Sequence, residues 1–598
     1  MAETLYLAFQ KVAERLPEHP ALMHKVNGKY QTITYSRLKR MVDDLAAGLK
    51  TAGVMPGMRV GIYSYNRPEW VIADLAIIKL GAITVPVYHN LPTESVRYIL
   101  NDAEVSYLFV ETPDLYNSLT PHLSEIKPLK TIITFYDTPE GVSGGKSLTS
   151  FSALLQLGAR ALGENSEIAQ PHLSEPSDLV TICYTSGTTG EPKGAMLTHH
   201  NILSNVWAAI ERFNVNENDL LVSFLPLCHM FERTCGYYTM LLAGATVAYA
   251  QSIETIREDV KAVKPTLLIV VPRVLEKAYN AVQEKVLTGP PLQRKLMVAT
   301  IKTYNRYALL RSRKQKIPLI LKFQHWLFGV LVVGKLKKLA GGRVRLIVSG
   351  GAPLDRKLAR IFRNLGFNLL EGYGLTETSP VVCAAIPGEE RVGTVGKPFP
   401  NVEVKIGPED EILVRGPNVM KGYLNKPEES ARAVDAEGWF HTGDQGRFDS
   451  EGNLIITGRI KEIIVNSYGK NIAPVPIEQA LVSSKFIEQA MVVGDRLPYL
   501  TALIVPARIT LEDYARKERI PFADFTELLR HPQIIKLFRE EIDRCLAPFA
   551  PYEKVRDFSL VPEPFTVENG LLTPTLKIRR NKVIEVYQPL VRAMYPEV

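Results

Sequence analysis

RVGIYSYNRPEWVIADLAIIKLGAITVPVY, residues 59–88, reads as one complete βαβ unit. An apolar strand opens it, Asn66 and Pro68 start a helix, Gly81 stops that helix, and a second apolar strand follows. Within the helix Val71, Leu75 and Ile78 share one face, which predicts packing against the sheet that the helix connects. The same alternation recurs in TLLIVVPRVLEKAYN, residues 266–280, and in RVRLIVSGGAPLDRKLARIFRNLG, residues 343–366. Strands that are apolar on both faces belong to parallel sheets covered on both sides. After about Glu411 the segments shorten, with turns at Gly416, Gly452 and Gly469, which predicts small β units. Helix–strand alternation resumes from Ile477. The expected class is α/β. A large N-terminal domain (1–458) carries mostly parallel sheets, covering helices and a small β-subdomain, and a small α+β C-terminal domain (459–598) follows.

The bulk figures agree with a multi-domain enzyme: 598 residues at 46% hydrophobic content exceed what one core accommodates. The net charge of +8 sets 71 basic residues against 63 acidic ones, enough to attract anionic ligands. No aromatic-interleaved basic stripe is present, so no nucleic-acid partner is expected. The five cysteines are odd in number and widely spaced, which points to neither a disulfide framework nor a zinc site. With no basic-then-apolar leader in MAETLYLAFQKVAERL, the expected setting is the reducing cytoplasm. The most lipophilic stretch, IPLILKFQHWLFGVLVVGKL at 317–336, contains Lys322, Gln324 and His325, which argues against a spanning helix. Two readings stay open: a buried helix between exposed basic turns, or a peripheral contact through 311–336 with anionic lipid on the inner face of the membrane.

The strongest chemical signal is YTSGTTGEPKG, residues 184–194, directly after the apolar run LVTIC. A loop so rich in Gly, Ser and Thr can turn successive backbone N–H groups and hydroxyls around phosphate oxygens, with Lys193 adding positive charge. It is not a Walker A loop: Pro192 replaces the second glycine, and Gly194 stands where Ser or Thr would bind magnesium. AMLTH, which follows, reads as a strand, so no helix dipole contributes. In EGYGLTE, residues 371–377, Gly372 and Gly374 permit close backbone approach and Tyr373 offers a flat face to adenine. Thr376 can donate to the α-phosphate, and Glu377 is a hard oxygen ligand suited to Mg²⁺. Asp444 suits ribose hydroxyls, with Arg459 able to reinforce that contact.

Together these motifs resemble the adenylate-forming superfamily, which includes acyl-CoA synthetases, firefly luciferase and the adenylation domains of peptide synthetases. The resemblance covers nearly the whole chain: YTSGTTGEPKG, SGGAPL (349–354), EGYGLTETSP (371–380), WFHTGD (439–444), GRIKEIIVNSYGKNIAPVPIE (458–478) and LTPTLKIRRN (572–581) occur in order. It implies ATP or AMP binding by Thr185, Ser186, Gly187, Thr188, Thr189, Gly190, Lys193, Gly351, Ala352, Pro353, Glu371, Gly372, Tyr373, Gly374, Asp444 and Arg459. It also implies Mg²⁺ at Glu377 and Thr188, catalytic roles for Lys577, Glu377, Thr376 and His229, and a domain hinge at Lys461. LPLCHMFER (225–233), VPRVLEKAYN (271–280) and the insert from about 281 to 342 look like bacterial long-chain fatty-acid–CoA ligases. The implied substrates are therefore a fatty acid, ATP and CoA. Leu275 stands where some long-chain relatives carry a tryptophan gate, and the 317–336 stretch is expected to line or border an acyl tunnel. The rival expectations are an acyl-AMP or carrier-protein ligase, an aryl or short-chain CoA ligase, and an inactive lipid-binding scaffold.

Overall fold

The computed structural model describes residues 3–185, 191–252, 254–313, 315–468, 470–567, 569–573 and 578–596. Two nine-stranded sheets dominate it. In the first, strands Leu179–Thr185, Ile83–Val87, Arg59–Tyr63, Val105–Val110, Thr131–Thr134 and Lys146–Ser150 run parallel, with antiparallel strands at both edges. The predicted βαβ unit forms as read, Arg59 pairing with Ile83 and Tyr63 with Val87. In the second sheet, Leu267–Val270, Leu346–Ser349 and Leu369–Gly374 lie side by side in parallel register. This brings the ends of three separate apolar runs to one edge.

The helix Pro68–Lys79 departs from the expectation of a single packed face: every residue in it except Glu69 is buried. It lies in a core cluster shared by strands of both sheets, including Ile62, Leu22, Leu221 and Val348. A helix sandwiched between two sheets has no solvent side, so the apolar stripe that sequence periodicity detects is only part of its contact surface. Its polar residues are paired accordingly. Asp74 accepts from Thr84 at 2.8 Å and from Tyr238 at 2.7 Å and binds the fully buried Arg233, while Lys79 meets Asp43 at 2.6 Å. Asn66 does not cap the helix. Its amide donates to the Leu225 carbonyl at 2.6 Å and its carbonyl accepts from Leu227 N–H at 2.9 Å, tying the loop at 225–227 to this unit.

A four-stranded antiparallel sheet, Glu403–Ile406, Glu411–Arg415, Phe440–Phe448 and Leu454–Arg459, forms the expected small β unit. The hydrophobic cores part here: the large cluster ends at Ile456, and the tail clusters begin at Ile464 around a three-stranded sheet.

The insert folds as helices Pro272–Thr288 and Pro291–Ser312 and a continuous helix Leu319–Leu339. The expectation that this last helix is buried is not met. Leu321, Val332 and Val333 turn inward, but Leu319, Ile320, Phe323 and Trp326 are 60–81% exposed. No residue of 317–336 lines the central cleft. Leu275 is likewise a core residue packed with Ile347 and Leu358, while its neighbour Val274 faces the cleft.

Candidate active site

The strand Leu179–Thr185 leads into the Gly/Ser/Thr loop, and the chain returns antiparallel as Lys193–Thr198, confirming a strand after the loop. Ser186, Gly187, Thr188, Thr189 and Gly190 lie outside the described residues, as does Lys577. The flanks of the loop are placed. Thr185 and Lys193 both line a cleft of about 2370 Å³, and Tyr184 donates to Asp102 at 2.5 Å, fixing the strand end. The Lys193 ammonium pairs with Glu429 and sits 5.3 Å from the Tyr423 ring centre.

The other motifs reach the same cleft from separate elements. Gly351, Ala352 and Pro353 follow strand Leu346–Ser349, while Glu371, Gly372, Tyr373 and Gly374 end strand Leu369–Gly374. The two glycines differ in what they are needed for. A Cβ on Gly374 would stand 1.9 Å from the Pro380 carbonyl, so the return strand requires glycine there, whereas Gly372 meets nothing closer than 3.5 Å and leaves room toward the cleft. Thr376 and Glu377 sit in the short turn beyond, and Glu377 accepts from the Tyr423 hydroxyl at 2.9 Å.

Asp444 and Arg459 are cross-strand partners in the small sheet. Arg459 Nε donates to one carboxylate oxygen of Asp444 at 2.6 Å and the Tyr373 hydroxyl donates to the other at 2.7 Å. Tyr373 is thus tethered rather than free to swing, and burial with the nearby Asp444 charge pushes its phenol pKa well up. Arg459 stays firmly charged because Asp444 outweighs its desolvation. Glu371 meets Arg363 at 3.2 Å, yet burial dominates and lifts its carboxyl to about 7. His229 lines the cleft with its ring 5.1 Å from Tyr88, whose neighbour His89 is driven down to about 4 by burial and by His229.

Every described residue assigned to nucleotide or catalysis from the sequence therefore borders one cavity. The side chain of Lys461 lies outside those described. Sequence reasoning missed Tyr423 and Glu429, which clasp Glu377 and Lys193, and Gln479, whose amide donates to the Pro353 carbonyl at 3.1 Å. It also missed Arg580, held by Glu478 at 2.6 Å, both lining the cleft from the tail. None of these has a local signal, since each acquires its role from a partner far away in the chain.

No group of three His, Cys, Asp or Glu side chains able to hold a metal occurs among the described residues. Glu377 faces the cleft, and its carboxylate fits Mg²⁺ as magnesium usually meets nucleotides, through one or two carboxylates plus substrate phosphates.

Residues 9–424 match the AMP-binding enzyme family, and residues 461–598 match the AMP-binding enzyme C-terminal domain. The chain is 34% identical to human long-chain-fatty-acid–CoA ligase 1 across its full length and 87% of that protein. It is 33% identical to long-chain-fatty-acid–CoA ligase FadD15 of Mycobacterium bovis, over 97% of this chain and 95% of that one. The adenylation domain of a carboxylate reductase from Mycobacterium chelonae superposes with a TM-score of 0.75 at 22% identity, covering 100% of this chain and 91% of the other, a shared fold. With the separate motifs converging on one cleft and the family match running over most of its length, the chain belongs to the AMP-binding enzymes.

Proposed function

We propose that the protein is a long-chain fatty-acid–CoA ligase, forming acyl-AMP from a fatty acid and ATP and then acyl-CoA. The observation that carries this reading is the convergence of Thr185, Lys193, Glu377, Tyr373, Asp444 and Arg459 on one cleft. Relatives named as long-chain ligases, similar over the full chain, support the acyl and CoA specificity.

In the first half-reaction a carboxylate oxygen of the fatty acid attacks the α-phosphorus of ATP. The new O–P bond forms as the bond to the bridging oxygen breaks, and pyrophosphate leaves with that electron pair. The substrate supplies the nucleophile, so the protein contributes position and charge. Asp444, held from both sides, receives the ribose hydroxyls, and Gly372 lets the nucleotide approach the backbone. Lys193 and Thr376 face the phosphates, and Glu377 would hold Mg²⁺, which would neutralise charge on the phosphate oxygens. Lys577 is assigned to the α-phosphate side; its neighbours Ile578 and Arg580 line the cleft. In the second half-reaction the CoA thiol, losing its proton to water, attacks the acyl carbonyl beside His229, and AMP leaves with the electrons of the broken C–O bond. The boundary near Gly458 with its hinge at Lys461 lets residues 459–598 change orientation between the two steps. The five cysteines, all free thiols, suit a cytoplasmic setting.

The test is fatty-acid-dependent ATP/pyrophosphate exchange together with CoA-dependent AMP release across a chain-length series starting from acetate. Activity peaking at long chains with free CoA supports the reading. Exchange without acyl-CoA formation would point to an acyl-AMP or carrier-protein ligase, a peak at aryl or short acids would move the specificity, and no exchange at all would leave a non-catalytic lipid-binding protein.

A further inference from the structure

One arm of the cleft presents no charge among the described residues. It descends from His229 between the second sheet and the helical segments Phe231–Tyr238 and Thr239–Leu242. On the sheet side Leu267, Ile269, Leu346 and Val348 face it, whereas Leu268, Val270 and Ile347 pack into a core behind the sheet, the period of two that marks a single face. On the helix side Glu232, Cys235 and Thr239 line it, spaced i, i+3 and i+7. The two polar groups among these are already engaged. Glu232 accepts from Ser223 at 2.6 Å and is kept neutral by burial, with a pKa of about 8, while Thr239 donates to the Thr234 carbonyl at 2.8 Å. Arg273, Lys277 and Arg356 line the cleft only past the C-terminal ends of these strands, at the mouth. What the arm offers a ligand is aliphatic surface.

The arm also has a floor. Leu221, Leu267 and Leu346 are register partners at the N-terminal ends of three adjacent strands, and Phe213 and Val215, at the end of the helix His199–Phe213, join them in the lining. Directly behind stand Asp219, Thr266 and Arg345, each the residue before one of the strands Leu220–Ser223, Leu267–Val270 and Leu346–Ser349. Arg345 donates twice to the Asp219 carboxylate, at 2.8 and 2.6 Å, and Thr266 donates to it at 2.7 Å. Arg345 also holds the Phe213 and Asn214 carbonyls, at 3.2 and 2.9 Å. The Asp219 side chain is 3% exposed and that of Arg345 38%, so the pair is what separates the arm from water. Burial would raise the Asp219 pKa, but Arg345 and Thr266 outweigh it and hold the carboxyl below its ordinary range. An apolar floor can repack around an extra methylene. A desolvated ion pair yields far less, because parting it leaves a buried charge without a partner.

Given the ligase reading, on which this rests, we infer that Phe213 receives the methyl end of the acyl chain and that the Asp219–Arg345 pair beneath it sets the upper limit of chain length. The chain then runs along the strands Leu267–Val270 and Leu346–Ser349. From Gly350 at the mouth to Leu346 at the floor is four residues of chain, about 13 Å, the reach of about ten bonds of an extended alkyl chain. A short or aryl acid leaves the inner half of such an arm unfilled and forfeits that contact.

The test is kcat/KM of the full-length protein over saturated acids from medium to very long chains, beside calorimetric affinities for non-hydrolysable acyl-sulfamoyl adenosines of the same lengths. Phe213→Ala should move the optimum to longer acids. It should raise kcat/KM for the first acid beyond the wild-type optimum, relative to the acid at that optimum, by about tenfold. Phe213→Trp, and Ala209→Leu one turn earlier in the same lining, narrow the arm and should move the optimum to shorter acids by a similar factor. Asp219→Leu/Arg345→Met, apolar and of similar volume, should leave a floor that yields, so that the fall in kcat/KM beyond the optimum becomes gradual. The analogue affinities should follow the same order in every variant, with the KM for ATP near its wild-type value. A Phe213 that only supports the fold would lower turnover at every length alike, together with the melting temperature. That result, or profiles of Phe213→Ala and Ala209→Leu equal to wild type, would overturn the inference. A sharp limit kept by the double variant would overturn the role of the ion pair. Wild-type protein that forms no acyl-CoA from any acid, yet binds the analogues with the expected dependence on length, would instead sink the ligase reading and leave the floor at Phe213 standing.

Discussion

Both carboxylate oxygens of Asp444 are held by the protein itself, one by Arg459 at 2.6 Å and the other by Tyr373 at 2.7 Å. A carboxylate fixed in this way keeps a free lone pair on each oxygen and presents them in one direction, which is what recognition of a ribose diol needs. Asp444→Asn keeps the shape but loses the charge and one acceptor. It should raise the KM for ATP by about tenfold or more, ~1.4 kcal/mol, while the KM for the fatty acid stays near its wild-type value in steady-state assays. A parallel rise in both constants would show that Asp444 supports the fold rather than the nucleotide. Glu232 is the other residue whose environment decides its behaviour. It is buried, accepts from Ser223 at 2.6 Å, and burial lifts its pKa to about 8. Because the folded value lies above the ordinary one of 4.5, the fold holds a proton that the unfolded chain has lost. The stability contributed by this group is complete below about 4.5 and declines as pH rises through about 8. Glu232→Gln, neutral throughout, should therefore gain stability relative to wild type by a few kcal/mol on going from pH 5 to pH 9, read from denaturant midpoints. A constant difference across that range would refute the assignment.

Single elements here serve two masters, the sheet and the site. The strand Leu369–Gly374 delivers Glu371, Gly372 and Tyr373 to the cleft and pairs with Val381–Ala384, which returns so tightly that the Pro380 carbonyl occupies the space of a Gly374 side chain. Gly374→Ala should cost about 2 kcal/mol or more and should depress nucleotide affinity with it, because the turn carrying Thr376 and Glu377 must shift. Thermal melts together with nucleotide titration check this, and an unchanged melt would mean that the return strand yields freely. The stretch LPLCHMFER shows the same coupling. His229 faces the cleft, but Arg233 is fully buried, bound to Asp74 of the helix Pro68–Lys79 and donating to Thr181 at 2.7 Å. A motif read from sequence as a mark of substrate class is in part a bolt between the two sheets. The alternation of residues 59–88 was legible because strands apolar on both faces and a Pro-opened helix have few other homes. The full burial of that helix was not, because it depends on the second sheet, whose strands come from positions near 22, 221 and 348.

At the scale of the molecule, the order of motifs made the large cleft readable before any coordinates, since glycine-rich turns after apolar strands gather at one edge of a parallel sheet. What could not be read were the contacts closing it: Tyr423 on Glu377, Glu429 on Lys193, and Gln479 on Pro353, the last spanning 126 positions. The exposure of the insert helix was equally hidden, because the sequence reports that it is apolar and not which of its sides is covered. The tail bears on the cleft through Gln479, Glu478, Ile578 and Arg580. Its cores are separate from those of the large lobe, as the proposed change of orientation between the two half-reactions requires. If the first half-reaction needs a tail cation and the second does not, the two steps should part company when that cation is removed. Lys577→Ala should lower fatty-acid-dependent ATP/pyrophosphate exchange by about 100-fold or more, the usual loss for one charged donor to a developing oxyanion. Conversion of supplied acyl-AMP and CoA to acyl-CoA should fall by no more than about threefold, since that step places no new charge on the α-phosphate oxygens. Equal losses in both assays would mean that the tail acts as a fixed part of a single site, and the two-orientation scheme would have to be given up.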